Sequence, residues 1–231
     1  MTGDPDTLAH LRRDIIVCRA CRRLVAHREE VARIKRRQYA ECSYWGRPLP
    51  GFGDPRARVL LVGLAPAAHG GNRTGRMFTG DRSGDWLFGA LHRAGFANQP
   101  QSADRADGLQ LRDAYVTAAV RCAPPDNKPT GEEIDRCRHY LVRELQLLRR
   151  VKVVVALGRI GMDAYFAART AIGQPVPRPR PKFGHGVVHD FGDVRVVASY
   201  HPSQQNTQTG RLTRPMFAQV FSTVRRLLTE E

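Results

Sequence analysis

The chain has 231 residues, and its 37 Lys and Arg against 22 Asp and Glu give a formal charge of +15; 33 of the cations are Arg and four are Lys (Lys35, Lys128, Lys152, Lys182). A composition of 42% hydrophobic and 26% charged residues excludes a disordered or fibrous chain, and no run approaches the ~18 consecutive apolar residues of a membrane span. The opening MTGDPDTLAH carries acids where a secretory signal carries bases, so a soluble protein of the cytoplasm is expected. The positive excess points to polyanionic partners, nucleic acid first among them, while a GC-rich coding sequence would also favour Arg over Lys.

In chain order, residues 8–40 read as helical and strongly basic, ARIKRRQYA being the densest cationic block. Cys18 and Cys21 form a C-x-x-C pair there, followed far downstream by Cys122 and Cys137 as C-x14-C. A C-x-x-C turn aims two sulfurs to one side, and four such ligands suit either tetrahedral zinc or an iron–sulfur cluster. Cys42 is the surplus fifth. Without an export signal, a disulfide framework is not expected. The basic block at 33–37 is expected to lie beside the four cysteines, and the Gly/Pro-marked stretch 46–55 reads as an ordered loop.

Four Val-rich apolar runs follow: ARVLLVGL (57–64), DAYVTAAV (113–120), VKVVVAL (151–157) and VRVVASY (194–200). Such runs suit strands buried on both faces of a parallel sheet. Helix-like stretches at 83–94, 131–149, 159–169 and 214–228 alternate with them, which predicts one α/β domain over 1–231. It has three layers, α/β/α, around a central four-stranded parallel sheet, with a basic helical part at 8–45. The segment 174–186 (QPVPRPRPKFGHG) is too Pro-rich for regular structure and reads as a basic surface loop.

Ligands of open parallel sheets gather at the carboxyl ends of the strands. The segments there are GLAPAAHGGNRTGRMFTGDRSGDW (63–86), CAPPDNKPTG (122–131) and HPSQQNTQTGRLT (201–213), all polar and Gly-bearing. Neither G-x-G-x-x-G nor G-x-x-x-x-G-K-[ST] follows the first strand, which argues against a nucleotide-phosphate cradle. Phe78 can instead stack a base, with Asp81 nearby and Arg73, Arg76 and Arg82 to hold phosphates. Asp81 could equally cap a helix ahead of Ser83. His201, fixed by Pro202, can donate to an oxygen that gains negative charge, and Asn127 can present an amide to water or a base edge. Arg211 and Arg214 could grip phosphates or face water.

These three loops, the cysteine spacing, YWGRPLPGFGDP (44–55) and KFGHG (182–186) together resemble the family-five, or B-type, uracil-DNA glycosylases. The likeness runs from Cys18 to about Met216. It implies the uracil-glycosylase fold and one four-iron four-sulfur cluster on Cys18, Cys21, Cys122 and Cys137. The backbone of Gly63, Leu64, Ala65, Pro66 and Ala67 would contact a flipped base stacked on Phe78. Asp81, Asn127 and His201 match the family's polar catalytic positions. Many members of the wider superfamily carry a carboxylate or Asn in the first motif, where this chain has GLAPAAHG, and Asp81 is the natural substitute. Arg73, Arg76, Arg82, Gln204, Gln205, Asn206 and Arg211 are the expected DNA-facing residues, with the wedge that fills the vacated stack sought within 204–209.

The activity implied is hydrolysis of the N-glycosidic bond of uracil, and of other deaminated bases such as hypoxanthine, in duplex and single-stranded DNA. The protein is expected to act as a monomer associated with the nucleoid. A non-catalytic, metal-stapled nucleic-acid-binding module is the rival from another class. It leaves three Gly-rich loops at one sheet edge without a role. A small electron-transfer iron–sulfur protein would be a shorter chain dominated by its cluster.

Overall fold

Val, Leu and Ala dominate four five-residue strands that are too apolar to face water on either side, and these strands form the centre of the sheet in the computed structural model, which describes residues 6–230. They are β2 (Val59–Gly63), β3 (Ala114–Ala118), β4 (Val153–Leu157) and β6 (Arg195–Ser199), every residue buried except Arg195. All four run parallel, as the apolar runs predict. Two short strands complete the sheet: β1 (Phe52–Gly53), antiparallel to β3, and β5 (Val188–Asp190), antiparallel to β6. The order is β1-β3-β2-β4-β6-β5, so the sheet has six strands where four are expected. Both additions are only two or three residues long, sit at the edges and lack a continuous apolar run, so periodicity cannot reveal them. The stretch 46–55 is thus not wholly loop.

Alternate residues of each strand feed opposite layers. Val59, Leu61, Val153, Val155 and Val197 pack on α4 (Arg82–Arg93) and α8 (Arg214–Thr229) through Leu87, Phe88, Leu91, Phe217 and Phe221. Leu60, Val62, Val154, Ala156 and Val196 face α5 (Gly131–Leu147) and α6 (Arg159–Ala171) through Leu141, Met162, Tyr165 and Phe166. Each fully buried Leu, Val or Phe contributes roughly 1.5–3 kcal/mol, so the double-sided core stabilises the sheet. α5 starts at a capping box, Thr130 accepting from Glu133 N and Glu133 reaching back to Thr130 N.

The basic N-terminal part is not one helix. It divides into α1 (Leu8–Val17) and α2 (Arg22–Ile34), broken at residues 18–21 where Cys18 and Cys21 both have extended backbone, then a 3-10 turn at Arg37–Tyr39. Leu11 and Ile15 seat α1 against Tyr140 of α5. Two remaining short helices are α3 (Gly71–Thr74) and α7 (Gln204–Gln208). No helix among the described residues is long and apolar enough to cross a membrane.

Candidate active site

The loop after β2 turns back on the sheet end through α3, then reaches Phe78 and the start of α4. Phe78 is 8% exposed, has a φ of 53°, and stacks on His201 with ring centroids 5.7 Å apart and planes at 29°. A positive φ on an aromatic residue is strained backbone, the kind held in place at sites where geometry matters. Gly63 at the end of β2 makes room for the ring: a Cβ there would stand 2.6 Å from Phe78 Cζ. The carbonyls of Gly63, Leu64 and Ala67 already accept from Ala119, Val120 and Asn72.

Asp81 is the N-cap of α4, its Oδ1 accepting from Gly84 N at 3.0 Å. The carboxylate also faces Gly70, where a Cβ would lie 2.0 Å from Asp81 Oδ2. Burial raises its pKa above the ordinary 3.8, and the backbone N–H groups of Gly84 and Ser83 offset this only in part. His201 sits after β6 with its pKa pushed down to about 4 by desolvation, so at neutral pH it is a neutral imidazole. A neutral imidazole donates a hydrogen bond through its N–H without acting as a strong acid.

Gly63, Phe78 and His201 are thus brought together at the carboxyl ends of β2 and β6, while Asp81 meets Gly70 three residues beyond Phe78 at the start of α4. Asn127 is exposed on the 3-10 turn Pro125–Asn127, in left-handed backbone at φ 56°. Among the described residues no hydrogen bond joins its side chain to Asp81 or His201.

The arginines divide. Arg76 is not available to DNA: it is 4% exposed, its guanidinium donating to both carboxylate oxygens of Asp107 at 2.9 and 2.6 Å and to Ser102 and Thr79. Burial would raise Asp107, but Arg76 and the amides of Leu109 and Ala103 hold it down at about 2. Arg73 donates to His69 O and Gly80 O and lies 4.1 Å over the Tyr39 ring, so it stitches the loop together. Arg82, Gln204, Gln205, Arg211 and Arg214 are exposed around the mouth. Arg211 stacks on Tyr200 and Arg214 on Trp86. Asn206 is turned inward, its amide donating to His201 O at 2.9 Å, which corrects its reading as a DNA contact. His185, in the KFGHG segment, accepts from Tyr200 N at 3.1 Å. Its one sequence signal is a histidine between two glycines after a Pro-rich run.

Cys18, Cys21, Cys122 and Cys137 line one void on the opposite side of the sheet end, with Leu24, Val25 and Tyr140 around them. All are free thiols, and Cys42 lies apart from the group. Arg28, 2% exposed, donates to Cys122 Sγ at 3.0 Å and to Cys18 O at 3.3 Å. Burial pushes the Cys122 thiol up to about 11 and Cys137 up to about 12, so a metal centre here must displace protons from desolvated sulfurs. Four sulfurs, a buried cation and an apolar shell form a donor set that fits an iron–sulfur centre. Among the described residues no three His, Cys, Asp or Glu side chains converge on a single-ion site. α2 itself reaches the cysteines through Leu24, Val25 and Arg28, and the basic block at 33–37 follows on from it. It lies at and beyond the C-terminal end of α2, and Arg36 with Arg73 adds to the desolvation that lowers the pKa of His69 in the first loop.

The family model of the uracil DNA glycosylase superfamily matches residues 50–225. The chain is 51% identical over 229 residues to the type-5 uracil-DNA glycosylase of Mycobacterium bovis, covering 98% of this chain and 84% of that one. It is 52% identical over 214 residues to the type-5 enzyme of Thermus thermophilus, covering 92% and 94%. A type-4 uracil-DNA glycosylase of Archaeoglobus fulgidus is 32% identical over 157 residues, 67% of this chain and 70% of its own length.

Proposed function

The chain belongs to the uracil-DNA glycosylase superfamily, and from that premise we propose that it is a DNA-repair hydrolase that flips uracil, and other deaminated bases such as hypoxanthine, out of duplex or single-stranded DNA and cleaves the N-glycosidic bond. The observation that carries the reading is the desolvated carboxylate of Asp81 beside a strained Phe78 stacked on a neutral, desolvated His201. Flipping costs a few kcal/mol, least at a mispair, so a deaminated cytosine opposite guanine is favoured before any pocket contact is made.

The extruded base stacks on Phe78, which presents a π-face to any base and so permits a range of lesions. As the bond to the sugar breaks, negative charge grows on the base and positive charge on the sugar. His201 donates its N–H to the departing base's oxygen, where a low-dielectric surrounding strengthens the bond. Asp81 in its ionised form stabilises the positive sugar or orients the attacking water. Asn127, on the exposed turn beyond β3, closes on the water or the base once DNA is bound. Loss of one preorganised donor typically costs about a hundredfold or more in rate.

Cys18, Cys21, Cys122 and Cys137 would hold one four-iron four-sulfur cluster, which when bound supplies a staple between the N-terminal helices, α5 and the loop after β3. Arg28 would balance its negative charge through the Cys122 sulfur. Purified protein should be brown, with iron and acid-labile sulfide in equal amounts; bound zinc without sulfide would refute the cluster. The activity is tested by incubating the protein with uracil-containing duplex DNA and cleaving abasic products with alkali. An intact strand after prolonged incubation would refute it, and a strictly uracil-specific result on a lesion panel would refute the wider range.

A further inference from the structure

His201 makes no side-chain hydrogen bond among the described residues, and its ring rests on Phe78. Its aim therefore depends on the backbone that carries it. That backbone is gripped on both sides. Ahead of it, Tyr200 N donates to His185 Nδ1 at 3.1 Å, and the His185 and Tyr200 rings stack at 5.0 Å and 24°. Behind the side chain, Asn206 Nδ2 donates to His201 O at 2.9 Å. Pro202 follows, with no N–H to add to the turn.

Neither grip is itself loose. Gly186 N and Val187 O bond to the two sides of Ala198, so the residues beside His185 run as an extension of the β5–β6 pairing. Asn206 is fixed at three points, its N bonding to the Ser203 hydroxyl and its backbone O accepting from Leu212 N at 2.9 Å in addition to the side-chain bond. Burial lowers the His185 pKa against a raising contact from Met216, so Nδ1 keeps its lone pair at neutral pH. Two segments from different parts of the chain, 184–187 and 203–206, converge on one dipeptide.

We propose that His185 and Asn206 are positioning residues that clamp the Tyr200–His201 backbone and so aim the His201 imidazole at the leaving base. The proposal rests on the reading of His201 as a catalytic donor. Neither residue touches substrate; each acts through His201. A misplacement of about 1 Å at such a donor can cost on the order of a hundredfold in rate.

A double-mutant cycle on the full chain tests it, with single-turnover excision of uracil from duplex DNA, DNA affinity and melting temperature measured for each variant. His201→Ala comes first: wild-type rate in that variant defeats the catalytic reading itself, whereas a loss upholds it and leaves the clamp to be judged separately. His185→Leu is then expected to lower the rate about tenfold or more with DNA affinity unchanged. His185→Asn, whose Oδ1 stands near the position of Nδ1, restores it to within about threefold of wild type. In the His201→Ala background His185→Leu has little further effect, about twofold at most. Equal losses in both backgrounds, or no rescue by Asn in a folded protein, would overturn the clamp. Should His185→Leu fail to fold, the same cycle with Asn206→Ala reads the second grip.

Discussion

Asp81 carries opposing demands from fold and chemistry. Its carboxylate caps α4, which favours the charge, yet burial raises its pKa, so the folded protein holds this proton more tightly than the unfolded chain. The stability this group supplies is complete below the unfolded pKa of about 3.9 and declines as pH rises through the higher folded value. Asn caps a helix as well as Asp without the charge. Asp81→Asn is therefore expected to melt above the wild type at pH 7, the gap closing below about pH 4, in calorimetric scans across pH. A lower melting temperature at pH 7 would mean that the ionised group stabilises the fold. The same ionisation should appear in catalysis as an excision rate that rises with pH through the Asp81 pKa, a limb absent from Asp81→Asn. His201, neutral above about 4, adds no limb near neutrality.

At the scale of elements, the loop from β2 to α4 works because small residues let large ones close in. A methyl group on Gly63 would meet Phe78 at 2.6 Å, deep in the core where neither partner can yield freely. Gly63→Ala should lower the excision rate about tenfold or more through displacement of the stacking ring, at about 1–3 kcal/mol in stability from overpacking. Rate and denaturant midpoint measured together separate the two effects. A wild-type rate in this variant would show that Phe78 does not set the pocket.

The central strands were legible in sequence because burial on both faces leaves a continuous apolar run, and the helices because helix-like stretches alternate with those runs. The edge strands were not, since Phe52–Gly53 and Val188–Asp190 are defined by pairing with β3 and β6. Cys18, Cys21, Cys122 and Cys137 were legible as a group by spacing. The roles of individual arginines were not: Arg76 and Arg82 look alike in sequence, but Asp107, thirty-one residues on from Arg76, draws that arginine into a part-buried pair while Arg82 stays in solvent. The role of His185 within KFGHG was illegible for the same reason, its partner being a backbone amide that only the fold brings near.

For the whole molecule, the charge of +15 separates into arginines that hold the protein together and arginines that face outward. Arg28, Arg121 and Arg169 are buried, Arg121 against Glu144 and Thr117 and Arg169 against Asp193, and they leave the outward charge to exposed residues such as Arg82, Arg211 and Arg214. DNA affinity should fall with salt, and Arg82→Ala or Arg211→Ala should each reduce the salt slope by about one. Arg76→Ala should leave that slope unchanged while costing about 1–3 kcal/mol in stability, because the half-buried Asp107 loses its charged partner and keeps only backbone amides. Binding isotherms over a salt series, paired with denaturation, distinguish these classes; a reduced slope for a folded Arg76→Ala protein would put that residue back on the DNA.

The central claim is that one site at the carboxyl ends of β2 and β6 cleaves the glycosidic bond through Asp81 and His201, with Asn127 closing from the loop beyond β3. Single-turnover excision from a duplex with one uracil opposite guanine, run for the wild type and for Asp81→Asn, Asn127→Ala and His201→Ala, tests it most directly. The account predicts abasic product with the wild type and a loss of about a hundredfold or more in each folded variant. Wild-type rates in all three variants would contradict it.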